Sequence, residues 1–139
     1  GMSRPEQGDV WSYSYLWRWQ HERGETEGRK SRPSAFVATV ASVDGRTDLF
    51  ILAITKTEPG RDRLAIEIPQ MERARAGLAA DLRLWTTLDV YNHDHLETSF
   101  YLEPNGYIGK FSSAFHKQVL SRFVQAAKER RVRRISRND

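Results

Sequence analysis

Short segments of alternating hydrophobic and polar residues recur along the chain, and most of them predict strands. The predicted strands cover residues 10–17, 35–43, 49–55, 64–68 and 82–91. The Asp44–Gly45 pair between the second and third segments indicates a β-hairpin, because this dipeptide supplies the positive φ angles of a tight turn. Asn105–Gly106 predicts a further turn, and the pattern between residues 91 and 105 is poorly determined.

Helical spacing of apolar residues occurs mainly near the C-terminus. Ser112 or Ser113 is a suitable N-cap for a final helix. Its predicted apolar face consists of Phe115, Val119, Leu120, Phe123, Val124 and Ala127. Pro69 predicts the start of a short helix that runs through Arg75 and is closed by Gly77. This pattern predicts five or six short strands, one short internal helix and one C-terminal helix.

Residues 18–32 lose the alternation, mix both charges and contain two glycines, so they predict a long loop. Loops of this length in a small domain are uncommon and often functional, although an insertion without a role is the alternative. The length favours one domain over residues 1–139, with a core of about residues 8–127. Short strands with frequent turns favour a small, partly open barrel over a parallel α/β fold, which would need alternating longer helices.

The basic character of the protein comes from its end. Residues 128–139 hold six basic and two acidic side chains, and this balance of +4 equals the net charge of the whole chain. A basic tail of this kind predicts sequence-independent contact with phosphate backbones. A solvated helix end, favoured by the helix dipole, explains it equally well.

Several classes of site are excluded by what the sequence lacks. The chain has no cysteine, which excludes disulfides, thiolate metal sites and thiol nucleophiles. It contains no Gly-rich phosphate loop, no Gly-x-Ser-x-Gly elbow and no His-Glu-x-x-His zinc motif. No apolar run approaches the roughly 20 residues that cross a bilayer. The N-terminal residues show no apolar signal core, so we expect a cytoplasmic protein.

His93-Asp94-His95 is the one arrangement that suggests a metal ion. Alternate residues of a strand share a face, so the two imidazoles could meet one ion. No third ligand has a suggestive spacing, however, and the segment has the composition of a loop. We therefore predict a surface turn and no metal site.

Four local patterns, in the right order, resemble the MazF/PemK toxins. Gly8-Asp9-Val10-Trp11 is similar to the opening strand of that family, and Arg32-Pro33 before Ala35-Phe36-Val37 is similar to the end of its first loop. Ala53-Ile54-Thr55 resembles the end of its third strand. Ala65-Ile66-Glu67-Ile68 resembles the short strand before its small helix. Together the patterns span residues 8 to about 91, and the C-terminal helix also suits the family.

The resemblance implies a mainly β fold with helices, namely a small SH3-like β-barrel of the CcdB/PemK kind with a C-terminal α-helix. It also implies a homodimer and a growth inhibitor of a type II toxin–antitoxin system, which a cognate antitoxin protein blocks. The implied activity is an endoribonuclease that cleaves single-stranded RNA without a metal ion or other cofactor, by attack of a ribose 2′-hydroxyl on the adjacent phosphorus.

Carried over by position, the catalytic residues are Arg32 and Thr55, with Glu27 as a further contributor from the loop. Arginine suits the stabilisation of a phosphorane, since its planar fork holds two phosphate oxygens and stays charged. It is a poor general base, and the base remains open between Glu27 and His21. A structural Arg32 paired with a carboxylate and an ordinary strand threonine at position 55 are the alternatives.

The loop supplies further candidates for RNA contact, in which aromatic rings stack on bases and cations follow the phosphates. These candidates are Trp17, Arg18, Trp19, His21, Arg29 and Lys30. One or both tryptophans could instead be core or dimer contacts. Thr86-Thr87-Leu88-Asp89 differs from the polar pair that the family often carries on its later strand. Two other functions therefore stay open: a binding protein of the same fold that has lost cleavage, and a gyrase-directed toxin.

Overall fold

A computed structural model describes residues 3–26 and 30–138 of the chain. Its elements are β1 (Asp9–Tyr13), α1 (Arg18–Glu22), β2 (Arg32–Ala41), β3 (Thr47–Thr55), β4 (Ala65–Ile68), α2 (Gln70–Arg75), β5 (Leu84–Thr87), β6 (Val90–His95), β7 (Leu102–Lys110), α3 (Ser113–Lys128) and β8 (Arg133–Ser136). The fold is mainly β, as predicted, with a long C-terminal helix. In the described residues no helix has the length and apolar character that a membrane crossing requires.

The strands form one sheet in the order β4-β5-β3-β2-β1-β7. In addition, β6 pairs with β3, and β8 pairs with β6. All pairs are antiparallel except β6 with β8. The central strand β3 changes partner along its length: residues 48–51 pair with β6, and residues 54–55 pair with β5. No ladder joins β4 to β7 within the described residues, so the sheet is open.

Both faces of the central strands are buried, which explains their nearly continuous apolar sequence. On one face, Val37 and Leu52 belong to a cluster that includes Phe115, Val119 and Phe123 of α3. On the other face, Phe36 and Ile51 belong to an aromatic-rich cluster with Trp11, Tyr13 and Tyr15. Successive side chains therefore enter two different cores.

A buried hydrogen-bond network closes the aromatic-rich cluster. The Tyr13 hydroxyl donates to Asp94 Oδ2 at 2.8 Å, and the Ser99 hydroxyl donates to the same oxygen at 2.6 Å. Burial, with the nearby Asp94 charge as the next cause, raises the pKa of the Tyr13 hydroxyl far above its usual range. Tyr13 therefore stays neutral and acts as a permanent donor to Asp94.

The contact of α2 with β7 depends on glycine. A Cβ atom on Gly109 would lie 2.3 Å from the carbonyl carbon and oxygen of Ala76, which directly follows α2. Glu72 of α2 accepts hydrogen bonds from the Ser112 backbone N–H at 2.8 Å and from the Ser112 hydroxyl at 2.7 Å. These contacts hold α2 and the start of α3 together.

We expect Gly109→Ala to lower the free energy of unfolding by about 3 kcal/mol or more, because the added methyl group meets backbone that cannot rotate away. Urea denaturation measures the change. Gly60→Ala is the matched control, since its Cβ would meet only the flexible Asp62 side chain at 3.0 Å, and we expect a change within about 0.5 kcal/mol. Equal stability of the two variants would contradict the close contact.

Several sequence predictions are confirmed. The hairpin of β2 and β3 turns at Asp44–Gly45, and Gly45 has a φ of 84°. The strand before Pro69, the short helix after it and the final helix are also present, and the Ser112 hydroxyl caps the final helix by accepting from the Phe115 N–H at 3.2 Å. The apolar face of α3 differs in one respect: Ala126 is buried, whereas Val124 and Ala127 are exposed.

Several predicted boundaries are wrong, and the strand expected over residues 10–17 ends at Tyr13. The strand expected over residues 82–91 is two strands separated by a bend at residues 88–89, where the Asp89 carboxylate accepts two hydrogen bonds from Arg63, at 2.6 and 2.9 Å. The loop expected from residue 18 begins with the helix α1. Asn105–Gly106 lies inside β7 and not in a turn between elements. The register of β7 against β1 is irregular there, and Asn105, which has a positive φ, lies in the resulting β-bulge.

The predicted surface turn at His93-Asp94-His95 is also wrong. These residues form the end of β6, and Asp94 is fully buried. The polar composition that indicated a loop has another cause, since Asp94 is satisfied by Tyr13 and Ser99 inside the molecule.

Only part of the basic C-terminal segment is exposed, because the rest packs against the sheet. After α3 the chain forms β8 parallel to β6, and Ile135 is buried with Leu16 and Val90. Arg137 is buried as well. The core therefore extends beyond residue 127, whereas Arg130, Arg131, Arg133 and Arg134 remain exposed.

Candidate nucleic-acid groove

A groove of about 490 Å³ lies where the start of β2 meets the end of β3 and the segment between α2 and β5. We call it the Arg32 groove. It is lined by residues 30–33, 54–57 and 77–79 together with Leu82 and Leu84. Two residues that the resemblance makes catalytic, Arg32 and Thr55, thus line the same groove, although they come from different strands.

Arg32 is the first residue of β2 and lies opposite Tyr13 of β1. Its guanidinium carbon is 5.2 Å from the centre of the Trp17 ring, a cation–π contact that orients the side chain. The Nε atom is buried and has no hydrogen-bond partner among the described residues. The alternative of an Arg32 held by a structural carboxylate therefore finds no support in the described part of the chain.

Thr55 is the last residue of β3 and pairs with Trp85 of β5. Its Oγ1 accepts a hydrogen bond from the Thr57 backbone N–H at 3.1 Å. This bond fixes the oxygen but leaves the hydroxyl proton available to a ligand. Thr55 is partly exposed, as a residue that contacts substrate must be.

The electrostatic character of the groove is positive. Lys30, Arg32 and Lys56 line it, and no Asp or Glu does so among the described residues. The cations combine with hydroxyls from Thr55 and Thr57, whereas the Ser31 hydroxyl donates to the Glu103 carboxylate. Cations and hydroxyl donors are the groups that bind the oxygens of a phosphodiester.

Four apolar residues, Ile54, Leu78, Leu82 and Leu84, add an apolar wall to the groove. The buried side chain of Arg73 holds this wall in place. Its guanidinium donates to the carbonyl oxygens of Ile68 at 2.8 Å and Ala80 at 3.2 Å, which anchors the chain after α2. The groove thus combines groups that bind phosphate with an apolar wall that a nucleobase can contact.

Three of the remaining predicted contacts, Trp17, Arg18 and Trp19, line a second cavity of about 130 Å³. Lys30 lines the Arg32 groove, and Trp17 borders it through its contact with Arg32. Arg18 lies on α1, where it forms an exposed ion pair with Glu22 at 3.5 Å. Trp19 is 46% exposed and contacts the Arg23 guanidinium.

His21 lines a separate, smaller cavity of about 50 Å³ beside Arg137. The structure therefore does not bring His21 to the Arg32 groove. Glu27 and Arg29 lie outside the described residues. Of the two candidates for the general base, Glu27 is the one that the described geometry leaves open.

The sequence reasoning missed Lys56 and the apolar wall. Lys56 directly follows the predicted Thr55, so its basic side chain at a strand end was a usable signal. Leu78 and Leu82 gave no such signal, because in the sequence they resemble ordinary loop and core residues. Only the fold brings them into the groove with the start of β2.

No family model, curated protein or solved structure matches this chain.

Proposed function

We propose that the protein is an endoribonuclease that cleaves single-stranded RNA in the Arg32 groove, in the manner of the MazF/PemK toxins. The observation that carries the proposal is the meeting of Arg32 and Thr55 in one positively charged groove with an apolar wall. A base in contact with the aliphatic wall would lie near cations that can bind its phosphate.

The chemistry follows from the groups present. The ribose 2′-oxygen attacks the adjacent phosphorus, the bond to the 5′-oxygen breaks, and the leaving 5′-oxygen takes up a proton from water, which leaves a 2′,3′-cyclic phosphate and a 5′-hydroxyl. Arg32 stabilises the negative charge that develops on the phosphorane oxygens. The Thr55 hydroxyl donates to a phosphate oxygen or to the 2′-oxygen, and Glu27 is the candidate that takes the 2′-proton.

Other parts of the proposal come from the resemblance alone. They are the SH3-like character of the open sheet, a homodimer, a cognate antitoxin that occupies the groove, a toxin–antitoxin role and a cytoplasmic location. Each stays a prediction. A binding protein that has lost cleavage is the main alternative, since no carboxylate or histidine lines the groove among the described residues.

The test is incubation of the purified chain with varied single-stranded RNAs in excess EDTA, followed by analysis of the product ends. We expect cuts that carry 2′,3′-cyclic phosphate or 3′-phosphate and a 5′-hydroxyl. Products with a 5′-phosphate would contradict the 2′-hydroxyl mechanism. RNA binding without any cutting would instead favour the binding protein.

A further inference from the structure

Asp48, His93 and His95 form a compact polar cluster on the sheet surface. Asp48 lies near the start of β3, directly opposite His95 of β6, and His93 follows on the same face of β6. The Nε2 atoms of both histidines lie 2.9 Å from the same carboxylate oxygen, Asp48 Oδ1. The strand pairing thus supplies the third ligand that no spacing in the sequence revealed.

The distances match the requirements of a bound ion. Ligand nitrogen and oxygen atoms lie about 2.0–2.2 Å from Zn²⁺, so two ligands of a tetrahedral site are about 3.4 Å apart. The three ligand atoms of the cluster lie within 4.8 Å of one another. Small rotations of the side chains are therefore sufficient to place one ion between them.

The surroundings leave room for further ligands. The side chains of Asp48, His93 and His95 are 20%, 11% and 15% exposed, so the cluster is partly buried but reaches solvent. Two imidazoles and one carboxylate with open positions are a donor set for divalent transition metals, whereas Mg²⁺ and Ca²⁺ prefer oxygen ligands.

Two neighbouring residues affect which ring nitrogen of each imidazole carries the proton. The Asn138 amide nitrogen lies 3.5 Å from His93 Nδ1, and after a rotation that exchanges the amide oxygen and nitrogen, the oxygen can accept a hydrogen bond from the Nδ1–H group. The Arg46 guanidinium lies 3.4 Å from His95 Nδ1 and can only donate. Metal binding at Nε2 requires a proton on Nδ1, so Arg46 must move away. Its side chain is 50% exposed and free to do so.

We propose that Asp48, His93 and His95 bind one divalent transition-metal ion of the Zn²⁺ class through the carboxylate and both Nε2 atoms, with water at the open positions. The ion would join β3 to β6. This site is separate from the Arg32 groove, and its test does not depend on RNA cleavage.

The experiment is a Zn²⁺ titration of the full chain without an affinity tag, after treatment with EDTA and dialysis, read by calorimetry or by competition with a chromophoric chelator. We expect one ion per chain. His93→Gln should weaken binding by at least 100-fold, beyond the 10- to 100-fold typical when an outer partner of a ligand is lost. His21→Gln, which removes an exposed histidine of α1, is the matched control and should bind Zn²⁺ as the parent chain does.

Arg46→Gln provides a second test that does not require loss of a ligand. It removes a positive charge and the donor that faces His95 Nδ1, so we expect Zn²⁺ to bind several-fold more tightly. Zn²⁺ should also raise the melting temperature of the parent chain. Absence of one-to-one binding, or binding that His93→Gln leaves unchanged, would overturn the proposal and leave Asp48 as a hydrogen-bond acceptor for the two histidines.

Discussion

Arg32→Ala is expected to lower the rate of RNA cleavage by about 100- to 1,000-fold, the usual loss when one preorganised donor to a developing negative charge is removed. The expectation follows from the position of Arg32 in the groove, where its Nε has no partner among the described residues and its guanidinium is oriented by Trp17. Cleavage rates measured with saturating RNA, together with circular dichroism of the variant, give the comparison.

Two further variants separate the role of Arg32 from the effect of its charge. Arg122→Ala removes the same charge from an exposed position on α3 and should leave the rate within a factor of two or three of the parent rate, as expected for an exposed site outside the groove. Arg32→Lys keeps the charge but loses the planar fork, so we expect a partial loss. If Arg32→Ala and Arg122→Ala cleave RNA equally well, Arg32 is not the stabilising group.

The sequence predicted those parts of the fold that depend on near neighbours. The β2–β3 hairpin, the short helix after Pro69 and the helix capped by Ser112 all carry their signals within a few residues. Arg32 and Thr55 were named from resemblance, and the structure brings them into one groove because β2 and β3 are hydrogen-bonded partners.

The remaining features depend on contacts between distant residues. His93 and His95 lacked a third ligand in the sequence, and only the pairing of β3 with β6 brings Asp48 to them. The charge of the last residues predicts a basic tail that contacts phosphates or a solvated helix end, and it hides the alternation of buried Ile135 and Arg137 with more exposed neighbours. A charged residue in a core is rare, and its burial follows from partners that no local pattern reveals.

Arg137→Ala is expected to lower the free energy of unfolding by about 3 kcal/mol or more, since it leaves buried acceptors without a donor and opens a cavity. Arg137 is 4% exposed. It donates to the Ser14 carbonyl at 2.6 Å, to Asn92 Oδ1 at 2.9 Å and to the Thr26 carbonyl at 3.2 Å. Its guanidinium also lies 3.8 Å from the centre of the Tyr101 ring. Urea denaturation measures the loss.

Arg134→Ala is the matched control, because Arg134 lies on β8 with an exposed side chain and its loss should cost no more than about 0.5 kcal/mol.

The difference between buried Arg137 and its exposed basic neighbours also determines how contact of the C-terminus with phosphate can be tested. Deletion of residues 129–139 would remove β8 and Arg137, so weaker RNA binding would report a damaged fold. Substitution of the exposed Arg130, Arg131, Arg133 and Arg134 leaves Ile135 and Arg137 in place, and a flatter salt dependence of RNA affinity would then report phosphate contact. Equal stability of Arg137→Ala and Arg134→Ala would show that the buried contacts of Arg137 do not stabilise the fold.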